Sequence, residues 1–371
     1  VSEYQYYEFR AVDRPLTDKE QAELRALSTR AEISAYHFSN VYHWGNFKGS
    51  PDEMVERYFD AHLYVTNWGV RRLMLRLPMR LFDAERASPF LEGELPALQT
   101  TGDKVILTFE LDEAWSDELV QGEGWLASLL PLRQELLSGD LRALYLGWLA
   151  GVAFGRVGAD EEEPPVPAGL GALSAALTAL ADFLLIPPEL LEVAAQASAA
   201  LEEPAPRAEL EAWIHGLPAP EKDALLLRLV DTAGAAPAPE LLHRFQEGRA
   251  RETAKAPASR RTVGELLRAA VALQQARERQ EKERQVATRE KELEALAARE
   301  PTAWKQVDEL FATRRPKDHA AGVQLLVGLR EVARRRGTEA QFSRRLSQLR
   351  ERNARRAGLI SRMDREGLSA P

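Results

Sequence analysis

Residues 36–81 read YHFSNVYHWGNFKGSPDEMVERYFDAHLYVTNWGVRRLMLRLPMRL, and the division of this stretch into strand and helix decides the fold class. Its last part carries the plainest strand pattern of the chain. Leu73, Leu75, Leu77, Met79 and Leu81 alternate with Arg72, Met74, Arg76 and Arg80, the period of two that a pleated strand requires. Residues 32–44 alternate too, with Tyr36, Phe38, Tyr42 and Trp44 on one side and His37, Val41 and His43 on the other. Gly45 to Gly49 is a turn. Ser50-Pro51-Asp52-Glu53 is a capping box with proline at the first helical position, where its missing N–H costs no hydrogen bond. Met54, Tyr58, Ala61 and Val65 follow at helical spacing, and Gly69 ends the helix so predicted.

Working outward, Tyr7, Phe9 and Ala11 alternate with Tyr6, Glu8 and Arg10, a strand broken at Arg14-Pro15. Thr17 and Glu20 form a capping box that opens a helix through about Ser28. Val105, Leu107, Phe109 and Leu111 point inward from a strand over Lys104–Leu111. The resulting order, β-α-β-α-β-β, predicts an α+β fold: a small sheet layer with helices on one side, a head domain of residues 1–112.

Residues 115–257 read as an all-α body. Leu126, Leu129, Leu130, Leu132, Leu136 and Leu137 give one apolar helix face, and Leu141–Phe154 is apolar nearly all round. GADEEEPPVP at 158–167 reads as an acidic, proline-rich linker or exposed loop. Short helices then alternate with breaks at Pro187-Pro188, Pro204–Pro206, Pro218–Pro220 and Pro237–Pro239, and EKDALLLRLVD at 221–231 is too apolar for a surface helix. Residues 258–300 are rich in helix formers and predict one long helix over Arg261–Glu300, about 60 Å long if unbroken. Its middle, QQARERQEKERQ at 274–285, lacks an apolar seam, so it reads as a spacer or arm and not a coiled coil. Residues 301–371 predict a basic three-helix tail module, its last helix opened by a capping box of Thr338 and Gln341.

The chain has 371 residues and no cysteine, which excludes disulfides, thiolate zinc sites and a cysteine nucleophile. Its net charge of −8 divides unequally: residues 251–371 hold 28 Lys/Arg and 17 Asp/Glu, so residues 1–250 carry −19. No secretory signal and no membrane span is read, which favours a cytoplasmic protein. Phosphate loops, dinucleotide-binding glycines, H-E-x-x-H and G-x-S-x-G are all missing. No cofactor is expected. His37, His43 and His62 are a poor metal set, because six residues of extended strand put His37 and His43 about 20 Å apart.

Two groups of residues are candidates for binding. In the head, Trp44, Lys48, Arg57, Trp68, Arg71 and Arg72 gather around two turns and suit an anionic or planar ligand. The plainer reading packs the aromatics into the core and leaves Arg71, Arg72 and Arg76 as a solvated strand face. In the tail, Phe342, Leu346 and Leu349 share a stripe, and Arg344, Arg345, Arg352 and Arg355 fall opposite it. With Arg334, Arg335, Arg336 and Arg356 they form a basic surface for a partner.

The segments YQYYEFRAVDRPL at 4–16, YHWGNFKGSP at 42–51, NWGVRRLMLRLP at 67–78 and GDLRALYLGWL at 139–149 resemble a family of uncharacterised bacterial proteins over roughly the first 190 residues. That resemblance implies no activity. The stretch RRPKDHAAGVQLLVGLREVARRRGTEAQFSRRLSQLRERNARRAGLISRMDREGL at 314–368 is similar to the C-terminal helical tail of bacterial SWIM zinc-finger proteins, without their Cys/His finger. The favoured expectation is a non-enzymatic interaction, scaffold or adaptor protein whose basic tail docks a partner protein. The alternatives are a nucleic-acid-associated protein binding phosphates through the tail arginines, and an enzyme or ligand sensor at the aromatic–arginine head.

Overall fold

The computed structural model describes residues 3–112, 121–201, 207–231, 245, 261–313 and 315–369. The fold is α+β, an antiparallel sheet of seven strands followed by helices. The chain divides into two compact units, Val1–Leu273 and Gln274–Pro371.

In the first unit the strands are β1 (Gln5–Arg10), β2 (Glu32–Ile33), β3 (His37–Tyr42), β4 (Ala61–Thr66), β5 (Arg71–Pro78), β6 (Ala97–Thr101) and β7 (Lys104–Leu111), in spatial order β2-β3-β1-β4-β5-β7-β6. Helices α1 (Asp18–Leu27) and α2 (Pro51–Arg57) cover one face. Phe9, Phe38, Met54, Val55, Phe59 and Met74 close that core. The other face is covered by α4 (Trp125–Leu129), α5 (Pro131–Leu137), α6 (Arg142–Ala153), α7 (Ala175–Phe183) and α8 (Pro188–Gln196), which follow the four-residue α3 (Ala84–Ala87). The sheet therefore carries helices on both faces, not on one as the element order implies.

The predicted helix across Ala61 and Val65 is corrected: α2 ends at Arg57 and residues 61–66 are the strand β4. The stretch does alternate, with Ala61, Leu63 and Val65 in one core and His62 and Tyr64 on the other face; the helical spacing of Met54, Tyr58, Ala61 and Val65 arises only by passing over Leu63. Gly69, with φ 98°, is the turn of a β4–β5 hairpin and not a helix stop. The predicted strand over 32–44 is two shorter ones, and Tyr36 and Trp44 lie outside them, exposed.

The acidic segment at 158–167 is not a free linker. Glu163 is 3 % exposed. It accepts from Tyr145 Oη at 2.5 Å and from Arg261 Nε at 2.6 Å and Nη2 at 3.0 Å, and Arg261 also donates to the Val193 carbonyl. Burial beside this carboxylate pushes the Tyr145 phenol well up. A capping pair of Thr262 and Glu265 opens α11 (Val263–Ala298), the predicted long helix, and Val263, Leu266 and Ala270 join the core of the first unit. Helices α9 (Arg207–Gly216) and α10 (Ala219–Asp231) are also present. Leu226 and Leu227 of α10 are exposed, against the buried helix expected there. The breaks expected at Pro204–Pro206 and Pro237–Pro239 lie outside the described residues, as do the boundaries expected at 112/115 and 257/258.

In the second unit α12 (Glu300–Ala312), α13 (Pro316–Arg335), α14 (Glu339–Arg352) and α15 (Ala357–Arg365) pack around Trp304, Val307, Phe311, Leu326, Leu346 and Met363, joined by Leu293 and Leu296 of α11. A fourth short helix thus completes the tail where three were expected. Thr338 does not cap α14; its hydroxyl donates to the Ala333 carbonyl at the end of α13 instead. The box at Thr17–Glu20 forms at the first turn of α1, whereas at α2 only half of the expected box is made, Ser50 Oγ accepting from the Glu53 amide.

The first unit is held by a buried ionic cluster. Asp60, 1 % exposed, accepts from the amides of Val12 and Asp13 at 2.6 and 2.9 Å and from Arg76 at 2.6 and 3.2 Å. Truncating one member of such a cluster strands buried charge, so Asp60→Ala is expected to cost about 3–5 kcal/mol in urea unfolding.

His62 is fully buried, stacked on Phe9 at 4.0 Å, and burial lowers its pKa to about 3. The unfolded chain takes up this proton near pH 6.5 and the folded chain does not. Stability from this group is therefore complete above pH 6.5 and is lost as pH falls from there towards 3. His62→Phe should flatten the decline in unfolding free energy between pH 6.5 and 5.

Candidate functional site

The tail arginines divide by what they touch. Arg345 lies over the Trp304 ring at 4.5 Å, and Arg356 donates to the Phe311 carbonyl at the end of α12. Arg352 pairs with Asp308 at 3.1 Å, Arg335 with Glu331 at 3.4 Å and Arg336 with Glu300 at 3.6 Å. Arg344 reaches back to the Ala340 carbonyl of its own helix. Arg334 and Arg355 are exposed, and among the described residues they carry no hydrogen bond or ion pair.

Three arginines absent from the sequence-based set turn out to join the helices. Arg330 donates to the carbonyls of Glu366 and Gly367 at 3.0 and 2.8 Å, Arg350 pairs with Asp364 at 2.7 Å, and Arg362 donates to the Pro316 carbonyl at 3.1 Å. Two of these contacts satisfy carbonyls at or just past the end of α15, where cations are favoured by the exposed C=O groups.

Between α13 and α14 runs a groove of about 870 Å³. It is lined by Val327, Arg330, Glu331, Arg334 and Arg335 of α13 and by Glu339, Phe342 and Leu346 of α14, Phe342 and Leu346 being core residues only 7 % and 4 % exposed. Arg330 and Arg334 are one helical turn apart, so they present their charges in register along the groove. Residues 301–371 hold 16 Lys/Arg and 8 Asp/Glu, a surplus of eight positive charges.

In the head, the six candidates do not converge. Arg71 and Arg72 are neighbours on β5 and so point to opposite faces of the sheet. Arg71, 4 % exposed, donates to the carbonyls of Asp182 and Phe183 at 3.4 and 3.1 Å, closing the end of α7, and burial lowers its pKa. Arg72 bridges Asp52 at 2.8 Å and Glu110 at 3.3 Å. Arg71 and Arg76 are thus buried, where a solvated arginine face was the plainer expectation; only Arg72 keeps partial exposure. Trp44 is 67 % exposed, outside the core that the same expectation gave it, with Arg30 stacked at 4.8 Å. Arg57 covers Tyr58 at 5.0 Å, Lys48 is exposed and Trp68 is half-buried.

A second polar cluster lies on β1, on the face that carries Tyr6 and looks towards residues 123–127. Glu8, 3 % exposed, accepts from Tyr6 Oη at 2.9 Å and Arg10 Nε at 3.0 Å, and His37 Nε2 stands 3.5 Å away. Burial would raise the Glu8 pKa, but His37, Tyr6 and Arg10 outweigh it and hold the carboxyl below its usual range. These residues line a groove of about 430 Å³ with Arg30, Glu32 and Glu123, whose charges nearly cancel. Among the described residues no three histidine or carboxylate side chains are placed to hold a metal ion, and no helix is long and apolar enough to cross a membrane.

No family model, curated protein or solved structure matches the chain.

The division of the arginines is measurable. Arg334→Glu and Arg355→Glu should leave the unfolding free energy within about 0.5 kcal/mol of wild type. Arg356→Ala, which uncovers the Phe311 carbonyl, should cost about 1–3 kcal/mol in the same urea titration.

Proposed function

We propose that this chain is a non-enzymatic adaptor whose C-terminal unit docks a partner protein by an acidic, partly apolar segment laid in the groove between α13 and α14. The observation that carries this reading is the groove itself, whose lining combines apolar Val327, Phe342 and Leu346 with Arg330, Arg334 and Arg335 against Glu331 and Glu339. An amphipathic helix puts apolar anchors one turn apart on one face and charges beside them. Acidic residues flanking such anchors would meet Arg334, which has no carboxylate of its own. The surplus of positive charge on residues 301–371 adds long-range attraction for an acidic partner and raises its association rate.

Nucleic acid is less well supported. Phosphate tracking needs a row of free cations, and Arg336, Arg345, Arg352 and Arg356, which lie away from the groove, are already engaged within the unit.

Two probes separate these readings by fluorescence anisotropy with the full chain: a labelled helical peptide of alternating leucine and glutamate faces, and a labelled DNA duplex of about two helical turns. The peptide is expected to bind, and Arg334→Glu with Arg335→Glu to weaken it about tenfold. Binding of the duplex alone, with a steep salt dependence, would replace the protein partner with nucleic acid. Peptide binding indifferent to the two substitutions would remove the groove from the account.

A further inference from the structure

The sheet ends in two unlike edges. β2, at one end, is two residues long and carries Glu32. β6, at the other, is the five-residue ALQTT at 97–101, with no charge and no proline. Its register with β7 runs without a bulge from Ala97 opposite Thr108 to Thr101 opposite Lys104. Residues 97–100 are exposed, Leu98 among them at 37 %. Sheet edges are ordinarily blunted by shortness, lysine, proline or a bulge, because their open N–H and C=O groups are a template for another strand. β2 is blunted in that way, and β6 has none of these devices.

The turn identifies which groups are open. Gly102 and Asp103 connect β6 to β7, Gly102 with φ 59° and Asp103 without a positive φ. That is a two-residue connection with glycine in the first central place, the type II′ hairpin turn. The residues flanking such a turn, Thr101 and Lys104, exchange hydrogen bonds, and the ladder alternates from there. Gln99 and Ala97 are therefore bonded inward to β7, while Leu98 and Thr100 direct their N–H and C=O away from the sheet. Among the described residues no other backbone group bonds to them.

We propose that β6 pairs with β6 of a second copy of this chain, antiparallel about a two-fold axis at Gln99. In that register Leu98 lies opposite Thr100 of the second copy and Thr100 opposite its Leu98. These two pairs form four N–H···O=C bonds from the groups left open. Gln99 meets Gln99 at the non-hydrogen-bonded position, where strands approach to about 4.5 Å between Cα atoms. A primary amide is both donor and acceptor, so it is its own complement. Ala97 faces Thr101, and no like charges meet. A second copy is preferred to another extended peptide because the strand matches itself in hydrogen bonding, in side chains and in its absence of charge. The pairing is isologous and closes at two chains.

Charge exchange at Gln99 tests this in the full chain, since the residue is exposed and its replacement leaves the inward ladder intact. Sedimentation velocity across protein concentration is measured for wild type, Gln99→Lys, Gln99→Glu and an equimolar mixture of the two variants, with far-UV circular dichroism to confirm folding. Wild type is expected to form reversible dimers, each single variant to associate about fivefold more weakly, and the mixture to recover the wild-type constant or exceed it. A wild-type chain monomeric up to ~1 mM would overturn the proposal. So would dimers insensitive to both substitutions, or a mixture no tighter than its components.

Discussion

The carboxylate of Asp60 is the point on which the first unit turns. It stands just before β4, takes the amides of Val12 and Asp13 where β1 has just ended, and takes the guanidinium of Arg76 from β5. Arg76 in turn donates to the carbonyls of Val55 and Glu56 at the end of α2, and its own carbonyl accepts from Arg133 of α5 at 2.9 Å. Arg133 returns to Asp13 at 2.6 Å. One chain of charge-assisted bonds thus joins three strands to a helix on each face of the sheet. Burial by itself would raise the Asp60 pKa; Arg76 and the two amides reverse that and hold it below its usual range. Buried charge of this kind is costly unless every partner is present, so it favours the one arrangement that supplies them all.

Alternation made β1, β5 and β7 visible, because each shows a period of two, although β5 stops at Pro78 and Met79–Leu81, read as its last inward positions, form a 3-10 turn with Met79 exposed. The capped starts of α1 and α2 were visible for a similarly local reason, since Thr17, Glu20 and Ser50 act within one turn. β4 was missed although AHLYVT alternates, because Ala61 and Val65 also continue the helical spacing of Met54 and Tyr58 from the capped start at Ser50. β6 was missed because both of its faces are wet and no pattern remains. Glu163 looked like part of a solvated acidic run because its partners, Tyr145 and Arg261, are 18 and 98 residues away.

For the candidate site, a helical wheel placed Phe342, Leu346 and Leu349 inside and Arg344, Arg345 and Arg352 outside, as found, but Arg355 lies in the turn beyond the end of α14. It gave no account of what an exposed arginine reaches. Trp304 beneath Arg345, the Phe311 carbonyl beside Arg356 and Asp308 beside Arg352 belong to a neighbouring helix. A wheel drawn for one helix contains no such neighbour. Arg330, Arg350 and Arg362 escaped notice because their role is to close helix ends and join helices across the bundle. The groove between α13 and α14 is a property of two helices together, and no single stretch announces it. In the head, the grouping of Arg71 with Arg72 failed on parity alone, since adjacent residues of a strand serve opposite faces.

The groove of the C-terminal unit is the proposed docking surface. Hydrogen exchange of the full chain, measured with and without the leucine–glutamate peptide at saturation, tests that directly. The account predicts added protection in residues 327–335 and 339–346, with exchange in residues 3–112 unchanged. Protection centred on the head, or none in α13 and α14 despite binding, would contradict it.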